Sequence, residues 1–412
     1  MASVIQTLKN DWSLSASVAG FLAVLISYAG PLIIFFQAAQ AAQAAQVSDA
    51  MMASWIWGVS IGAAIPGIYL SIKYKTPVIT AWSAPGTALL VTLFPQMSIN
   101  EAVAGYIISA IVIFIIGATG YFDKILKWIP NGIAAGMMAG ILFQFGLELF
   151  KATDSMPFIV FSMLGCYLLA KRFSPRYTMI WVLICGVILS VLLGKMNPVH
   201  FDLAVTIPNF IAPEWSWNST FNLAIPLILV SLTGQFLPGM AILNLSGYDT
   251  PAKPIVSVTS LASLAVACVG GITIVLAAIT AALCTGKDAH ELKEKRYIAG
   301  VANGIFYLFG GLFAGSIVMV FSLLPKELVA ALAGLALIGA ISANITIAMK
   351  NDEQRDAALI TFLATASGMS FLGLSSVFWG ILIGMIAHYI LTKKRLLPTS
   401  SISLTTSNNE AN

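Results

Sequence analysis

The chain has 412 residues, of which 58% are hydrophobic and only 9% charged, with a formal net charge of +4. An average soluble domain carries about 25% charged residues, so this composition excludes a water-soluble globule and points to lipid as the main solvent. At about 20 apolar residues per spanning helix, the length admits about 12 to 14 crossings. The four cysteines (Cys166, Cys185, Cys268, Cys284) sit inside apolar segments without CxxC spacing, as small hydrophobes in packed helices do. They indicate neither a disulfide framework nor a metal site.

In chain order, Lys9 precedes an apolar run from Leu14 to Phe36. That run exceeds a signal-peptide core and reads as a retained first span, extended as helix by the Ala-Gln repeat from Ala38 to Gln46. Apolar windows between charge clusters predict first-half segments near 15–36, 51–72, 77–94, 101–120, 130–149, 155–171 and 177–194. The second half gives 223–243, 252–268, 270–286, 297–314, 325–348, 355–371 and 374–392. The third and tenth are short. The third begins Pro77-Val-Ile-Thr-Ala-Trp-Ser-Ala-Pro-Gly-Thr87 before a helical Ala88 to Phe94. The tenth begins Gly270-Gly271 and Ile272-Thr-Ile-Val275 before Ala277 to Leu283. Each predicts an extended stretch followed by a half-helix, which survives at membrane depth only where protein or a cavity satisfies its backbone.

If all fourteen segments cross and the N-terminus is cytoplasmic, Lys and Arg divide unevenly. Eighteen of the 21 fall in the cytoplasm, and only Lys151, Lys195 and Lys326 outside. Omitting one crossing would invert every later loop and destroy the bias, so the positive-inside rule favours both count and orientation. The chain is expected in a bacterial inner membrane with both termini cytoplasmic. The Ser- and Thr-rich tail after Leu397 reads as disordered.

The two halves resemble each other. Ser27-Tyr-Ala-Gly30-Pro31 matches Ser231-Leu-Thr-Gly234-Gln235, Thr87-Ala-Leu-Leu90 matches Thr280-Ala-Ala-Leu283, and Ile129-Pro130 matches Leu324-Pro325. The matches keep their order. An odd number of spans per half makes the repeat inverted, with a site expected near the midplane. Two half-helix N-termini facing each other offer unpaired N–H groups and roughly half a positive charge each. A carboxylate could be held there without a buried Lys or Arg.

At these residues the sequence resembles the benzoate/proton symporter family (the BenE type) over nearly its whole length. The likeness rests on Ala29-Gly-Pro-Leu32 with Phe35-Phe-Gln37, on Ala81-Trp-Ser-Ala-Pro-Gly-Thr87, and on Ile129-Pro-Asn-Gly-Ile-Ala-Ala-Gly136. In the second half it rests on Gly234-Gln-Phe-Leu-Pro-Gly239 and Gly270-Gly271. The resemblance implies the seven-plus-seven all-helical fold of nucleobase and sulfate-permease-type transporters. A core would comprise 1–129 (segments 1–4) and 223–315 (segments 8–11). A gate would comprise 130–200 (segments 5–7) and 316–396 (segments 12–14), with 201–222 an external loop and 397–412 a cytoplasmic tail. It further implies a site between segments three and ten walled by one and eight, a proton as coupling ion, and a homodimer through the gates. Nucleobase transporters carry a Glu in the eighth segment where this chain has Gln235, and a second acid near Ile279. Losing both disfavours a nucleobase and fits a ligand that is itself negative.

The candidate site residues each admit a plainer reading. Trp82 either stacks on an aromatic ligand or packs. Ser83 and Thr87, with Gly86 between them and Pro85 suited to a first helical turn, either donate to a carboxylate or cap the half-helix. Thr280 and the backbone N–H groups of Ala278 and Ile279 are the counterparts in the tenth segment. Gln235 is a ligand or an interhelical hydrogen bonder, while Tyr28 and Gln37 are substrate contacts or buried polar groups with local partners. Proton carriage stays open among Asp49, Glu101, Asp123, Glu148, His388 and the substrate itself. No Walker loop, HExxH or histidine cluster is present, so an enzyme, a metal site, a cofactor or a self-contained ATP-driven pump is not expected, nor a nucleic-acid partner. The expectation is proton-coupled uptake of a benzoate-like anion. An inorganic-anion transporter or channel and a nucleobase permease are the alternatives.

Overall fold

The computed structural model describes residues 2–42, 47–94, 96–196 and 205–393. The end of the Ala-Gln repeat (Gln43–Gln46), the tail after 397 and the side chains of Asp123 and Ile279 lie outside the described residues. An N-terminal α1 (Ala2–Asp11) leads into α2 (Leu14–Ala29) and α3 (Pro31–Ala41), which form one apolar stretch broken at Gly30. Pro31 causes the break, since its ring removes one N–H and clashes with the preceding turn. Next come α4 (Asp49–Tyr74), β1 (Thr80–Trp82), α5 (Ala84–Leu93), α6 (Ile99–Thr119) and α7 (Phe122–Trp128). Then α8 (Asn131–Lys151), α9 (Pro157–Phe173) and α10 (Thr178–Leu192) complete the first half.

The second half opens with a continuous helix from Ser219 to Leu245. Its α-helical parts are α11 (Ile225–Ser231) and α12 (Leu237–Leu245), with π turns at Ser219–Ala224 and Leu232–Phe236. It starts four residues ahead of the expected 223, so the loop expected over 201–222 ends earlier. After it come α13 (Ala252–Ala267), β2 (Ile274–Leu276), α14 (Ile279–Thr285), α15 (Tyr297–Leu312) and α16 (Ala314–Ser322). The chain ends with α17 (Lys326–Lys350), α18 (Arg355–Ala366), a two-residue hairpin of β3 (Ser370–Phe371) and β4 (Leu374–Ser375), and α19 (Ser376–Lys393). Among the described residues, seven helices are long and apolar enough to cross a membrane, and an eighth crossing is possible through α15 and α16, which meet at a 71° bend. Phe161 and Leu169 of α9, Ile188 of α10 and Leu363 of α18 have more than half their surface exposed, as lipid-facing side chains do.

The helices pack in two sets. In the first, α15 lies along α4 and α2, and α13 along α6 and α4. In the second, α8 packs against α17 and α18, with α9, α10 and α19 around them. The segment α16, which an expected boundary at 316 would cut, packs on α4 in the first set. Small residues set the helix spacing. A Cβ on Gly20 would lie 2.5 Å from the Ala299 carbonyl oxygen, and one on Gly136 2.3 Å from that of Ala358. Without a hydrophobic drive between helices in lipid, such close backbone approach supplies the packing attraction.

Both expected broken segments are a strand followed by a short helix, and the two strands pair with each other. Trp82 opposes Ile274 and Thr80 opposes Leu276 in an antiparallel ribbon, continued by Ser83 N to Thr273 O (2.9 Å) and Ala277 N to Ile79 O (2.9 Å). The pairing satisfies only one edge of each strand, and hydroxyls satisfy others. Ser71 of α4 accepts from Val78 N at 3.1 Å, and Ser263 of α13 accepts from Ile274 N at 2.8 Å. Thr80 Oγ1 donates to Ala63 O at 2.5 Å. Gly270 enters β2 at φ +84°, where a Cβ would sit 1.9 Å from Trp55 Cδ1, so only glycine fits.

Replacing Ser263 with Ala leaves the buried Ile274 N–H unpaired, a loss of about 1–3 kcal/mol. Thermal unfolding in detergent should show a clear drop in Tm for Ser263→Ala and none for Ser257→Ala, whose hydroxyl serves only its own helix. Equal melting of the two variants would contradict this account of the ribbon.

Candidate substrate site

The ribbon brings the starts of α5 and α14 to one cavity of about 360 Å³, toward the small end of the roughly 300–1,000 Å³ typical of ligand pockets. Its wall takes Ser27 and Pro31 from either side of the Gly30 break, Ala81 to Pro85 (without Ser83) from the first broken segment, and Ala277, Ala278 and Thr280 from the second. The π turn adds Thr233, Gly234 and Gln235, with Leu237, Pro238 and Ala241 beyond it. The second helix set closes the cavity with Met138 of α8 and Ala340, Ala343, Asn344 and Ile347 of α17. Gly30 and Gly234, matched between the halves by sequence, therefore both mark irregular turns beside the cavity.

Trp82 is 3% exposed and is fixed by rings behind it. Tyr28 stacks on it at 6.0 Å between centroids, while Tyr307 and Phe35 meet it edge-on at 5.9 and 6.2 Å. Its Nε1–H has no partner among the described residues, so aromatic packing alone orients the indole. Tyr28 does not line the cavity; its hydroxyl shares a 2.7 Å hydrogen bond with Ser60, and its ring backs Trp82.

The two half-helix starts differ. In α5, Ser83 is the N-cap: its Oγ accepts from Gly86 N at 3.1 Å, and Thr87 Oγ1 donates to Ser83 O at 3.1 Å. Pro85 has no N–H to offer. Ser83, Gly86 and Thr87 are fully buried off the cavity, with Gly86 pressed so close to Leu227 that a Cβ would meet its Cδ1 at 2.5 Å. In α14 no side chain caps the N-terminus, so the backbone N–H groups of Ile279, Thr280 and Ala281 keep their donor capacity. Thr280 and Ala278 face the cavity beside them. The uncapped backbone donors beside the cavity thus belong to α14.

Gln235 lies half-buried on the cavity wall, and among the described residues nothing hydrogen-bonds its amide. The π turn that displays it had no signal in the sequence beyond the matched glycine. Asn344, absent from the sequence candidates, stands on the opposite wall with its Nδ2 bonded to Ala340 O at 2.8 Å. It was legible only as a polar residue within an apolar segment. Gln37 lies elsewhere, in a separate cavity of about 400 Å³ with Gln144, Glu148 and Lys326. Of the carboxylates considered, Glu101 completes a capping box with Ser98, and Glu148 pairs with Lys151 at 2.8 Å.

The sequence matches the family described as “Benzoate membrane transport protein” over residues 10–390. The chain belongs to that family of membrane transporters. A benzoate membrane transport protein from Acinetobacter baylyi is 74% identical over 395 residues, covering 96% of this chain and all of that one. Inner membrane protein YdcO of Escherichia coli is 37% identical over 91% of this chain and 95% of its own. The fold is similar to that of SLC26A9, with a TM-score of 0.65 at 13% identity over 94% of this chain and 67% of the other. The transmembrane domain of the cyanobacterial bicarbonate transporter BicA gives a TM-score of 0.53 at 15% identity, covering 88% of this chain and 97% of that domain. At such identities the likeness is one of fold.

Within this benzoate transport family member, Ser83 and Thr280 do different work at the starts of the two half-helices. Ser83→Ala should cost about 1 kcal/mol as a lost N-cap, seen as a lowered Tm in detergent. Thr280→Val, which removes a hydroxyl facing the cavity, should leave Tm unchanged; the reverse pattern would reject the assignment.

Proposed function

We propose that this chain is a secondary active transporter that takes up benzoate, or a similar aromatic carboxylate, together with a proton. The carrying observation is the polarity of the cavity, with a rigid indole at one end and the uncapped α14 N-terminus at the other. An aromatic carboxylate matches both ends: its ring lies against Trp82, and its oxygens take the N–H groups of α14 and the Thr280 hydroxyl. The helix dipole adds an attraction that requires no buried cation. A small inorganic anion would use only one end.

The two helix sets serve as core and gate, in fourteen spans arranged as an inverted repeat with both termini in the cytoplasm. Supporting the repeat, each half carries a strand followed by a short helix, with a serine from the preceding helix on the strand edge. The short helices α7 and α16 stand at equivalent places before α8 and α17. The cavity shares Met138, Thr233, Gly234, Leu237, Asn344 and Ile347 with a wider vestibule of about 820 Å³ edged by Lys350 to Gln354. The Lys and Arg bias puts that edge in the cytoplasm, so this is an inward-open arrangement. At the opposite end the sets are clasped: the Asn222 amide donates to Gly373 O at 3.0 Å and accepts from Ser375 N at 2.6 Å.

Radiolabelled benzoate uptake into proteoliposomes under an inward proton gradient, corrected for leak into protein-free liposomes, tests the reading. Saturable, protonophore-sensitive uptake is expected, with at least about a tenfold higher KM in Trp82→Ala and Thr280→Val, equivalent to about 1.4 kcal/mol. Accumulation of sulfate, bicarbonate or uracil in place of benzoate would overturn the substrate. For alternation, Asn222→Ala should loosen the outer clasp. Labelling of a cysteine at Thr92, which borders the outer cavity, by an external membrane-impermeant maleimide should then rise severalfold; unchanged labelling would remove Asn222 from the gate.

A further inference from the structure

Among the described residues, the cavity wall contains polar groups but no ionisable side chain. Ser27, Thr233, Gln235, Thr280 and Asn344 are its polar members, and Trp82 and small or aliphatic residues make up the rest. The titratable groups nearest it are turned to other uses. Tyr28 and Tyr307 lie behind Trp82, with Tyr28 bonded to Ser60. On α14, the Cys284 thiol contacts Ala19 O at 3.7 Å. Arg296, beyond the end of α14, donates to Thr285 O and His290 O at 2.8 and 2.7 Å. On the gate side, the described residues that α8 and α17 present are Met138, Ala340, Ala343, Asn344 and Ile347. Lys350, Asp352 and Glu353 border the vestibule, outside the cavity, and His388 belongs to α19, which contributes nothing to the wall.

We propose that the coupled proton rides on the substrate's own carboxyl group, which crosses as the neutral acid paired with the Gln235 amide. This rests on the aromatic-carboxylate reading above. A primary amide is complementary to a carboxylic acid: Oε1 accepts the acid O–H while Nε2 donates to the carbonyl oxygen. No protein group competes for that amide among the described residues. The α14 N–H groups and Thr280 hold the carbonyl side, and Gln235 receives the hydroxyl. Desolvation in the cavity favours the uncharged form of a carboxyl group. On entry the carboxylate gains one proton from water, forming an O–H bond; on release it loses that proton to water on the other side. No protein bond is made or broken, and the loaded cavity carries no net charge. A glutamate at position 235 would itself titrate and would compete for the proton.

Competition assays on the reconstituted full chain test this. Benzamide is a neutral analogue of the acid, and benzenesulfonate is an anion at every working pH. The KM for total benzoate should rise about tenfold per pH unit between about pH 5.5 and 7.5, because the acid fraction falls by that factor above a carboxyl pKa near 4. Benzamide should compete with an inhibition constant that stays within about twofold over the same range, and benzenesulfonate should gain no potency as pH falls. Gln235→Glu should make benzamide inhibition pH-dependent, showing that the assay detects a titrating protein group. The proposal is overturned if wild-type inhibition by either analogue strengthens about tenfold per unit of acidification, since the protein then binds the proton. It is overturned equally if benzamide does not compete. In both cases saturable benzoate uptake leaves the aromatic-carboxylate reading standing; absence of that uptake removes both.

Discussion

The antiparallel pairing of β1 with β2 is the interaction on which the site depends. Extended backbone in the interior of a membrane protein exposes N–H and C=O groups that lipid cannot satisfy. Here each strand is the other's partner, Ser71 and Ser263 satisfy N–H groups beyond the pairing, and the Thr80 hydroxyl ties β1 to the Ala63 carbonyl of α4. Because the strands run in opposite directions, each short helix starts from a different end of the same ribbon. Both starts can therefore wall one cavity while their far ends diverge.

The same ribbon fixes the division of labour in the cavity. Trp82 is the last residue of β1, so its indole is held by the strand and by the rings of Tyr28, Phe35 and Tyr307. Ser83 follows immediately and satisfies α5 internally, which leaves that helix little to offer an anion. On the other strand Ala277 and Ala278 separate β2 from α14, and neither side chain can cap. One half-helix has become a scaffold for an aromatic surface, and the other has kept its donors. Two strand-and-half-helix units of similar build thus give the cavity unlike ends rather than equivalent ones.

Much of this was legible before any coordinates. The broken third and tenth segments, the matched glycines, and Trp82, Gln235 and Thr280 as cavity residues follow from patterns in the chain. Ser83, Gly86 and Thr87 do not reach the cavity because capping and close packing against Leu227 consume them. A sequence shows a hydroxyl beside a helix start but not the direction in which it points. The short helices α7 and α16 escaped notice because each lies next to a charge cluster or a proline that reads as a loop. Asn344 and Met138 escaped because the set that carries them meets the cavity only through tertiary packing.

The sequence by itself determined the solvent and the two places where helix fails, because apolar composition and Gly/Pro positions act locally. Tertiary structure alone decided that the two failures pair as strands, that a π turn displays Gln235, and that α17 supplies the far wall. Those outcomes depend on which backbone groups remain unsatisfied once distant helices have packed, and no local pattern records that.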